Sequence, residues 1–443
     1  MSQYSDVMLI NSTNSDWKIT SVSSKLMQIQ DIPYPIKSRF CQHFNISSLN
    51  GLDIKNCNFD AAFQIMDSVN STFRVRGRYK DELGRFDVEV YLENLETHKH
   101  KKGSAVSLGW VQSGKTYLFL IGDVGNYIGP NINTESWMQE HLNILGNHSL
   151  KEICISGSHD AGMSVSTWST HLASECNTLT QSNNILNQLK LGIRYFDIRP
   201  VLSDKNFFTG HYKKLGFFWE GANGESIDSI IDEINSFMES NNELIMIKLS
   251  HSLNLDVGFF KTYSHFNKDQ WFDLFDKLST IKNLYYHNGI GKVSDSTINT
   301  LTANGTRSAV LFFVEDKESN IDLGEYEDAG FFLLSELNMY HKYSNTNDIN
   351  VMSKDQLKKM HDHAPQQYFE LEWTLTQDAI QAVSCPTTIG FSIKELADIA
   401  NREFIELLYP NIKKKEYPNV ILVDNVKDIA VTTLALAINW IVL

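Results

Sequence analysis

The chain is poor in most of the features that place a protein at a glance. Cysteine is scarce: there are five, Cys41, Cys57, Cys154, Cys176 and Cys385. They are scattered and odd in number, which argues against a disulfide framework and for buried free thiols. The first residues, Met1-Ser2-Gln3-Tyr4-Ser5-Asp6, hold no basic stretch leading into a long apolar core, so no secretory signal is evident. A cytoplasmic protein, one released by a route that needs no such signal, and a trimmed precursor all fit. Long apolar runs are missing as well. The best candidate, residues 429–443, is broken by Thr432, Thr433 and Asn439 and is shorter than the ~20 residues that span a bilayer, so a closing helix packed on a sheet is expected there. No internal repeat or low-complexity segment is present.

Positive charge is also in deficit. The formal net charge is −14, and residues 1–145 are nearly balanced, with 14 basic against 15 acidic side chains, while the rest of the chain carries 25 against 38. An acidic region of that kind gains nothing from general attraction to nucleic acid or to an anionic bilayer. A nucleic-acid partner is therefore not expected, and any membrane contact has to be local or helped by the front of the chain. At 42% hydrophobic and 21% charged the composition is that of a globular protein, and 443 residues leave room for two domains. The oligomeric state is not legible.

Residues 1–145 read as β. Runs at 73–79, 86–92, 105–111 and 116–121 alternate or are apolar, and Asp81-Glu82-Leu83-Gly84 and Gln112-Ser113-Gly114-Lys115 supply turns between them. This spacing predicts an N-terminal antiparallel β-sandwich, ending near 128–147, where Gly129-Pro130 breaks the pattern and 137–144 reads as a short helix. From 146 to 443 strand-like runs (153–155, 193–198, 207–208, 244–249, 309–314, 331–334, 420–423) alternate with segments of helical spacing (185–191, 226–238, 269–278, 354–360, 393–408). Such alternation predicts an α/β fold, a TIM-type (β/α) barrel, for which ~250 residues suffice.

Three motifs lie within a short span: Gly157-Ser158-His159-Asp160-Ala161-Gly162, then Phe196-Asp197-Ile198-Arg199, then Thr209-Gly210-His211-Tyr212. Each follows an apolar run, as residues do that line one face of a parallel barrel. Two imidazoles can move a proton on and a proton off, while a guanidinium holds charge at phosphorus, so cleavage of a phosphodiester without redox chemistry or a cofactor is indicated.

In this order the motifs resemble the catalytic X region of phosphatidylinositol-specific phospholipases C, of the bacterial rather than the animal type. The likeness covers roughly residues 146–443 and is concentrated in 153–212. The resemblance implies a phospholipid membrane surface and an inositol phospholipid as partners, and diacylglycerol and a cyclic inositol phosphate as products. It implies His159 as general base toward the inositol 2-hydroxyl, His211 as general acid toward the glycerol oxygen, and Asp160 as the carboxylate that supports the acid. If the strand continues, Asp160 points away from His159 and so can serve His211. Asp424, after Val420-Ile421-Leu422-Val423, matches the position that orients the base. Animal members hold calcium through an Asn after the first histidine and a Glu-x-Asp pair; here Asp160, Asp197 and Arg199 stand at those positions. A fixed guanidinium repels a divalent cation and supplies its charge, so neither a metal nor another cofactor is expected.

Departures from the family bear on the substrate. In Glu243-Leu244-Ile245-Met246-Ile247-Lys248-Leu249-Ser250-His251, Ser250 stands where animal members have a calcium-binding Glu and bacterial ones a lysine; Lys248 and Ser250 are substrate-binding candidates. Arg307 lies before its strand, so the headgroup-reading arginine of bacterial members has no clear counterpart. Lys213 and Lys214, with Phe217, Phe218 and Trp219, follow His211 on the expected rim and suit a membrane interface or packing under the loop. Arg74, Arg76, Arg78 and Lys80 share one strand face, and the turn at 81–84 pairs Arg78 with Asp87 and Arg76 with Glu89. The loop His98-Lys99-His100-Lys101-Lys102 could contact an anion, and His361 and His363 read as surface residues. Two other functions stay open: a metal-dependent phosphodiesterase of the same barrel type acting on sphingomyelin or glycerophosphodiesters, and a catalytically silent membrane- or glycan-binding protein.

Overall fold

A computed structural model describes residues 4–32, 34–49, 53–216, 218–257, 262–289, 291–315, 321–385 and 390–443. The chain divides into two compact units, Met1–Asn133 with Ile405–Asn411, and Thr134–Phe404 with Ile412–Leu443. The division thus falls upstream of 145/146. The short helices Trp137–Glu140 and Leu142–Leu145 go with the second unit because Trp137 Nε1 donates to Gly192 O (2.9 Å) and the Met138 and Gln139 amides donate to the Glu243 carboxylate (3.2 and 2.8 Å). Residues 405–411 go with the first unit, where Tyr409 hydrogen-bonds Ser12 (2.6 Å) and Glu406 pairs with His43.

The first unit has two sheets. Trp17–Lys25, Asn58–Ile65, Thr72–Lys80, Arg85–Tyr91 and Ala105–Gly109 form one that is antiparallel throughout. Met27–Gln30, Phe40–Ser48, Tyr4–Thr13 and Lys115–Gly122 form the other, and there the last two strands run parallel. The wholly antiparallel expectation is corrected at that pair, since a two-residue period reports which face a side chain takes and not the direction of the neighbouring strand. Alternate residues of both sheets, among them Leu9, Phe44, Phe63, Phe73, Val75 and Leu118, enter one apolar cluster. The expected hairpin register holds, with Arg78 opposite Asp87 and Arg76 opposite Glu89. Buried Glu89 takes Arg76 (2.8 Å), Arg78 (3.1 Å) and Lys80 (2.8 Å), so the cationic face is neutralised by its own neighbours.

The second unit is an α/β, TIM-like fold. Its strands are β1 (Ile155–Ser158), β2 (Tyr195–Ile198), β3 (Leu244–Leu249), β4 (Ala309–Val314), β5 (Phe331–Leu333), β6 (Met339–His341), β7 (Tyr368–Trp373) and β8 (Val420–Val423). They are all parallel, in the order β5-β4-β3-β2-β1-β8-β7-β6. The edge strands β5 and β6, of three residues each, are joined by the turn Leu334–Leu337 and share no ladder, so the barrel has an open seam. Most strands are buried on both faces, as a helix-covered parallel sheet requires. The closing helix Ala430–Val442 is buried, and its Asn439 exchanges hydrogen bonds with the Cys154 backbone (2.7 and 2.8 Å), which accounts for a polar residue in an apolar segment. Among the described residues no helix is long and apolar enough to cross a membrane.

Two strand assignments need correction. Phe207 and Phe208 lie in Asn206–Leu215, which pairs antiparallel with Pro200–Ser203 and Phe218–Ser226 in a separate five-stranded sheet, not in the barrel. Two apolar residues look alike in either setting. Conversely, β6 and β7 went unread, because Glu370 and Glu372 interrupt the apolar pattern of β7. The cysteine expectation is also corrected: Cys176 and Cys385 form a disulfide, 209 residues apart in sequence, and Cys41, Cys57 and Cys154 are buried and free. An odd total does not forbid one bond, and the loops that meet to form it follow β1 and β7.

Candidate active site

The strand ends converge on a cavity of about 730 Å³ lined by His159, Asp197, Arg199, His211, Lys248 and Asp424 among others. His159 follows β1 directly, and its backbone N–H donates to Val423 O of β8 (2.9 Å). Its Nδ1 lies 2.8 Å from Asp424 Oδ1 and its Nε2 lies 2.7 Å from Arg199 Nη2. A guanidinium has no lone pair to offer. Nε2 therefore accepts from Arg199, and Nδ1 carries the proton donated to Asp424. Burial disfavours a charged ring, yet the carboxylates of Asp424 and Asp197 outweigh both burial and the Arg199 charge and lift the His159 pKa above the ordinary imidazole value. Protonation of Nε2 would break the Arg199 contact.

Asp160 leaves the strand at once, with φ +41°, a left-handed turn that few non-glycine residues adopt. Its Oδ2 lies 2.7 Å from His211 Nδ1 and 3.4 Å from Arg199 Nη1. The expected partner is thus in place, but a backbone turn delivers it rather than strand alternation. His211 itself comes from the hairpin strand Asn206–Leu215. Gly162 is needed beside it, since a Cβ there would fall 2.3 Å from Thr209 Cγ2.

Asp197, buried in β2, is 3.3 Å from Arg199 Nε and 3.6 Å from Lys248 Nζ, and accepts from Ser250 Oγ (2.9 Å). Burial alone would raise its pKa, but Lys248 and Arg199 hold it well below the usual carboxylate range. Lys248 is also buried and paired with Glu370 (2.8 Å), whose other oxygen accepts from Tyr195 (2.6 Å). Ser250, fully buried, contacts His251 Nδ1 (2.9 Å) as well as Asp197. His251 is pushed down to about 4, first by the Arg199 charge and then by burial. Lys248 and Ser250 therefore brace Asp197, and only Lys248 borders the cavity.

Of the rim candidates, only Lys213 is gathered with this cluster. Lys213 borders the cavity, while Lys214 is exposed and stands 5.9 Å from the half-buried Trp219 ring, which meets His265 edge-on at 6.4 Å. Packing accounts for Trp219; Phe217 lies outside the described residues. Neither of the other two histidines singled out lines the cavity: exposed His361 pairs with Glu416 (2.9 Å), and half-buried His363 stacks on Tyr340 (3.6 Å).

Sequence reasoning missed the opposite wall. Glu315 just past β4, His341 ending β6 and Glu372 in β7 border the cavity, with His341 Nε2 3.2 Å from Glu315 and Nδ1 3.9 Å from Glu372. The signal available was two acids in the buried run Tyr368–Trp373. His341, Glu370 and Glu372 present ligand atoms within 4.8 Å of one another, the spacing of a metal site. Both Glu370 oxygens are already engaged by Lys248 and Tyr195, so a cation would have to displace them.

Fold and cluster together define a parallel, barrel-like α/β protein with a guanidinium and a carboxylate-backed imidazole at the strand C-termini and a second carboxylate-backed imidazole supplied by the adjoining hairpin. No family model matches the chain. Two curated relatives do, both named 1-phosphatidylinositol phosphodiesterase, from Staphylococcus aureus strains Newman and NCTC 8325 / PS 47. Each is 23% identical over 235 residues, or 52% of this chain, and the match spans 66% and 62% of their own lengths, less than two thirds. Among solved structures, a point mutant of the phosphatidylinositol-specific phospholipase C from Staphylococcus aureus has a TM-score of 0.47 at 18% identity, covering 70% of this chain and 97% of that one. The corresponding enzyme from Listeria monocytogenes has a TM-score of 0.46 at 14% identity, covering 69% and 99%. The likeness to bacterial phosphatidylinositol-specific phospholipases C read from the motifs is thus also found in curated sequence relatives.

Proposed function

We propose that this chain is a phosphatidylinositol-type phospholipase C. His159 removes the proton from the inositol 2-hydroxyl, which attacks phosphorus; His211 delivers a proton to the departing glycerol oxygen; the products are diacylglycerol and a cyclic inositol phosphate. The observation that carries this reading is the linked pair of dyads, His159 with Asp424 and His211 with Asp160, with Arg199 touching one imidazole and the carboxylate behind the other. A bound phosphoryl group competes for the Arg199 guanidinium, which frees the Nε2 lone pair of His159 just where a base is required. Arg199 then neutralises charge on the phosphoryl oxygens, and Asp197 holds its position. Arg199 and Lys248 already surround Asp197 with positive charge, which favours a reaction without a divalent ion. The first unit serves in this reading as an accessory β-sandwich.

The test is a panel of phospholipids presented with and without excess chelator, with the water-soluble product identified. Release of a cyclic inositol phosphate from the inositol lipid alone, unchanged by chelator, is the expected result. Loss of activity on chelation would favour the metal-dependent phosphodiesterase, and no release from any lipid would leave a binding protein.

A further inference from the structure

We propose that His341 and Glu372 form a binding site on the cavity wall for a first-row divalent transition-metal ion such as zinc, with Glu315 holding the imidazole from behind. The bound ion obstructs the cavity and takes no part in the chemistry. Only that effect on turnover rests on the phospholipase reading; the site itself does not.

His341 ends β6 and stands opposite Glu370 of β7, its parallel neighbour, so Glu372, two residues further on, shares the Glu370 face. His341 and Glu372 both border the cavity. The gap between His341 Nδ1 and Glu372 Oε1 is 3.9 Å. That is too long for a hydrogen bond, yet within the ~4 Å that two ligands, each ~2.0–2.1 Å from one ion, can span. Glu372 is 7% exposed, and among the described residues its carboxylate accepts no hydrogen bond. A buried carboxylate without a donor is costly, and a cation beside it relieves that cost.

The other side of the ring is already arranged for a metal. His341 Nε2 lies 3.2 Å from Glu315 Oε1. This contact keeps the ring proton on Nε2 and leaves the Nδ1 lone pair on the side of Glu372. A carboxylate behind a ligating histidine fixes its tautomer and orientation and raises its basicity in just this way. A nitrogen ligand joined to carboxylate oxygen suits zinc and its first-row neighbours, whereas calcium and magnesium favour oxygen alone.

Glu370 completes a group whose ligand atoms lie within 4.8 Å of one another. Lys248 and Tyr195 hold its two oxygens, so it lends negative charge from behind and leaves ligation to His341 and Glu372. Glu315, Glu370 and Glu372 thus set three carboxylates against the one ammonium of Lys248. The remaining coordination positions open into the cavity that Arg199 also lines, where an ion and its waters take up room that a headgroup needs.

Competition against a chromophoric zinc chelator, on the full chain, reads affinity without turnover. The wild-type protein is expected to bind zinc in the micromolar range or tighter. Glu315→Gln, which removes only the support, should weaken binding by ~10- to 100-fold; His341→Ala and the near-isosteric Glu372→Gln, which each remove a ligand, should weaken it further. His361→Ala, at an exposed histidine–carboxylate pair outside the cavity, should leave it unchanged. Zinc should also slow cleavage of a short-chain inositol phospholipid, and chelator should restore it. No zinc bound by the wild-type protein, or wild-type affinity in Glu372→Gln, would overturn the site; wild-type turnover with the site filled would overturn the obstruction. Should zinc bind as expected while the protein cleaves no inositol lipid with or without it, the site stands and the phospholipase reading fails.

Discussion

Arg199 Nη2 lies 2.7 Å from His159 Nε2, so the group that would carry phosphoryl charge covers the nitrogen that would take the proton. Substrate has to separate them. Arg199→Lys keeps the charge but loses the planar donor pair, and should cut kcat on a short-chain substrate by ~10²- to 10³-fold. Thermal melting should be little changed. Near-normal turnover in this variant, with wild-type activity lost on chelation, would show that a metal and not Arg199 bears the charge.

His211→Ala should harm lipid cleavage far more than cleavage of a substrate with an acidic phenol as leaving group. An alkoxide needs its proton in the transition state, a contribution of ~10²- to 10⁴-fold, whereas a good leaving group departs without it. Equal slowing of both substrates would remove His211 from the acid role.

The raised pKa of His159 sets a pH dependence. A base must be unprotonated, so kcat/KM should climb with pH through a value above the ordinary imidazole figure of 6.5. Asp424→Asn removes the strongest charge that favours the protonated ring, and should shift this limb to lower pH while reducing the plateau rate. Stability moves the other way. With a raised folded-state pKa, the pair stabilises the fold fully below the unfolded imidazole's value and that contribution is lost as pH rises through the raised one. Denaturant titrations of both proteins across pH should therefore converge toward alkaline pH; parallel curves would contradict the assignment.

Arg194 and Glu243 form an ion pair (2.8 Å) in which neither side chain is exposed, and Glu243 also receives the amides of Met138 and Gln139. Glu243→Ala leaves a buried guanidinium unpaired and strips two helix-start amides of their acceptor. A loss of about 3–5 kcal/mol is expected from denaturant unfolding, large enough to set this pair apart from the exposed Lys–Asp bridges, where ~1 kcal/mol or less is the rule.

The candidate site was legible to the extent that its residues follow apolar runs. His159, Arg199 and Asp424 sit at the ends of β1, β2 and β8 as read, and the Arg76–Glu89 register followed from counting through a four-residue turn. What escaped had a common cause. Glu370 and Glu372 lie inside a strand whose acids are balanced by Lys248, Tyr195 and His341, partners distant in sequence, so β7 looked like no strand. With β7 unread, Glu315, His341 and Glu372 had no common face to share. The Cys176–Cys385 bond and the parallel pairing of Tyr4–Thr13 with Lys115–Gly122 are likewise long-range facts that local pattern does not carry.

The open seam gives the barrel an adjustable girth. β5 and β6 share no ladder with each other, so parting them sacrifices no backbone pairing between them; beside the seam, Glu315 just past β4 contacts His341 of β6. The other six strands are hooped on both sides and cannot widen without breaking hydrogen bonds. A bulkier ligand would thus be admitted by displacement of the segment carrying β5 and β6. Amide exchange should be quickest there among the barrel strands, since local opening follows the weakest backbone pairing.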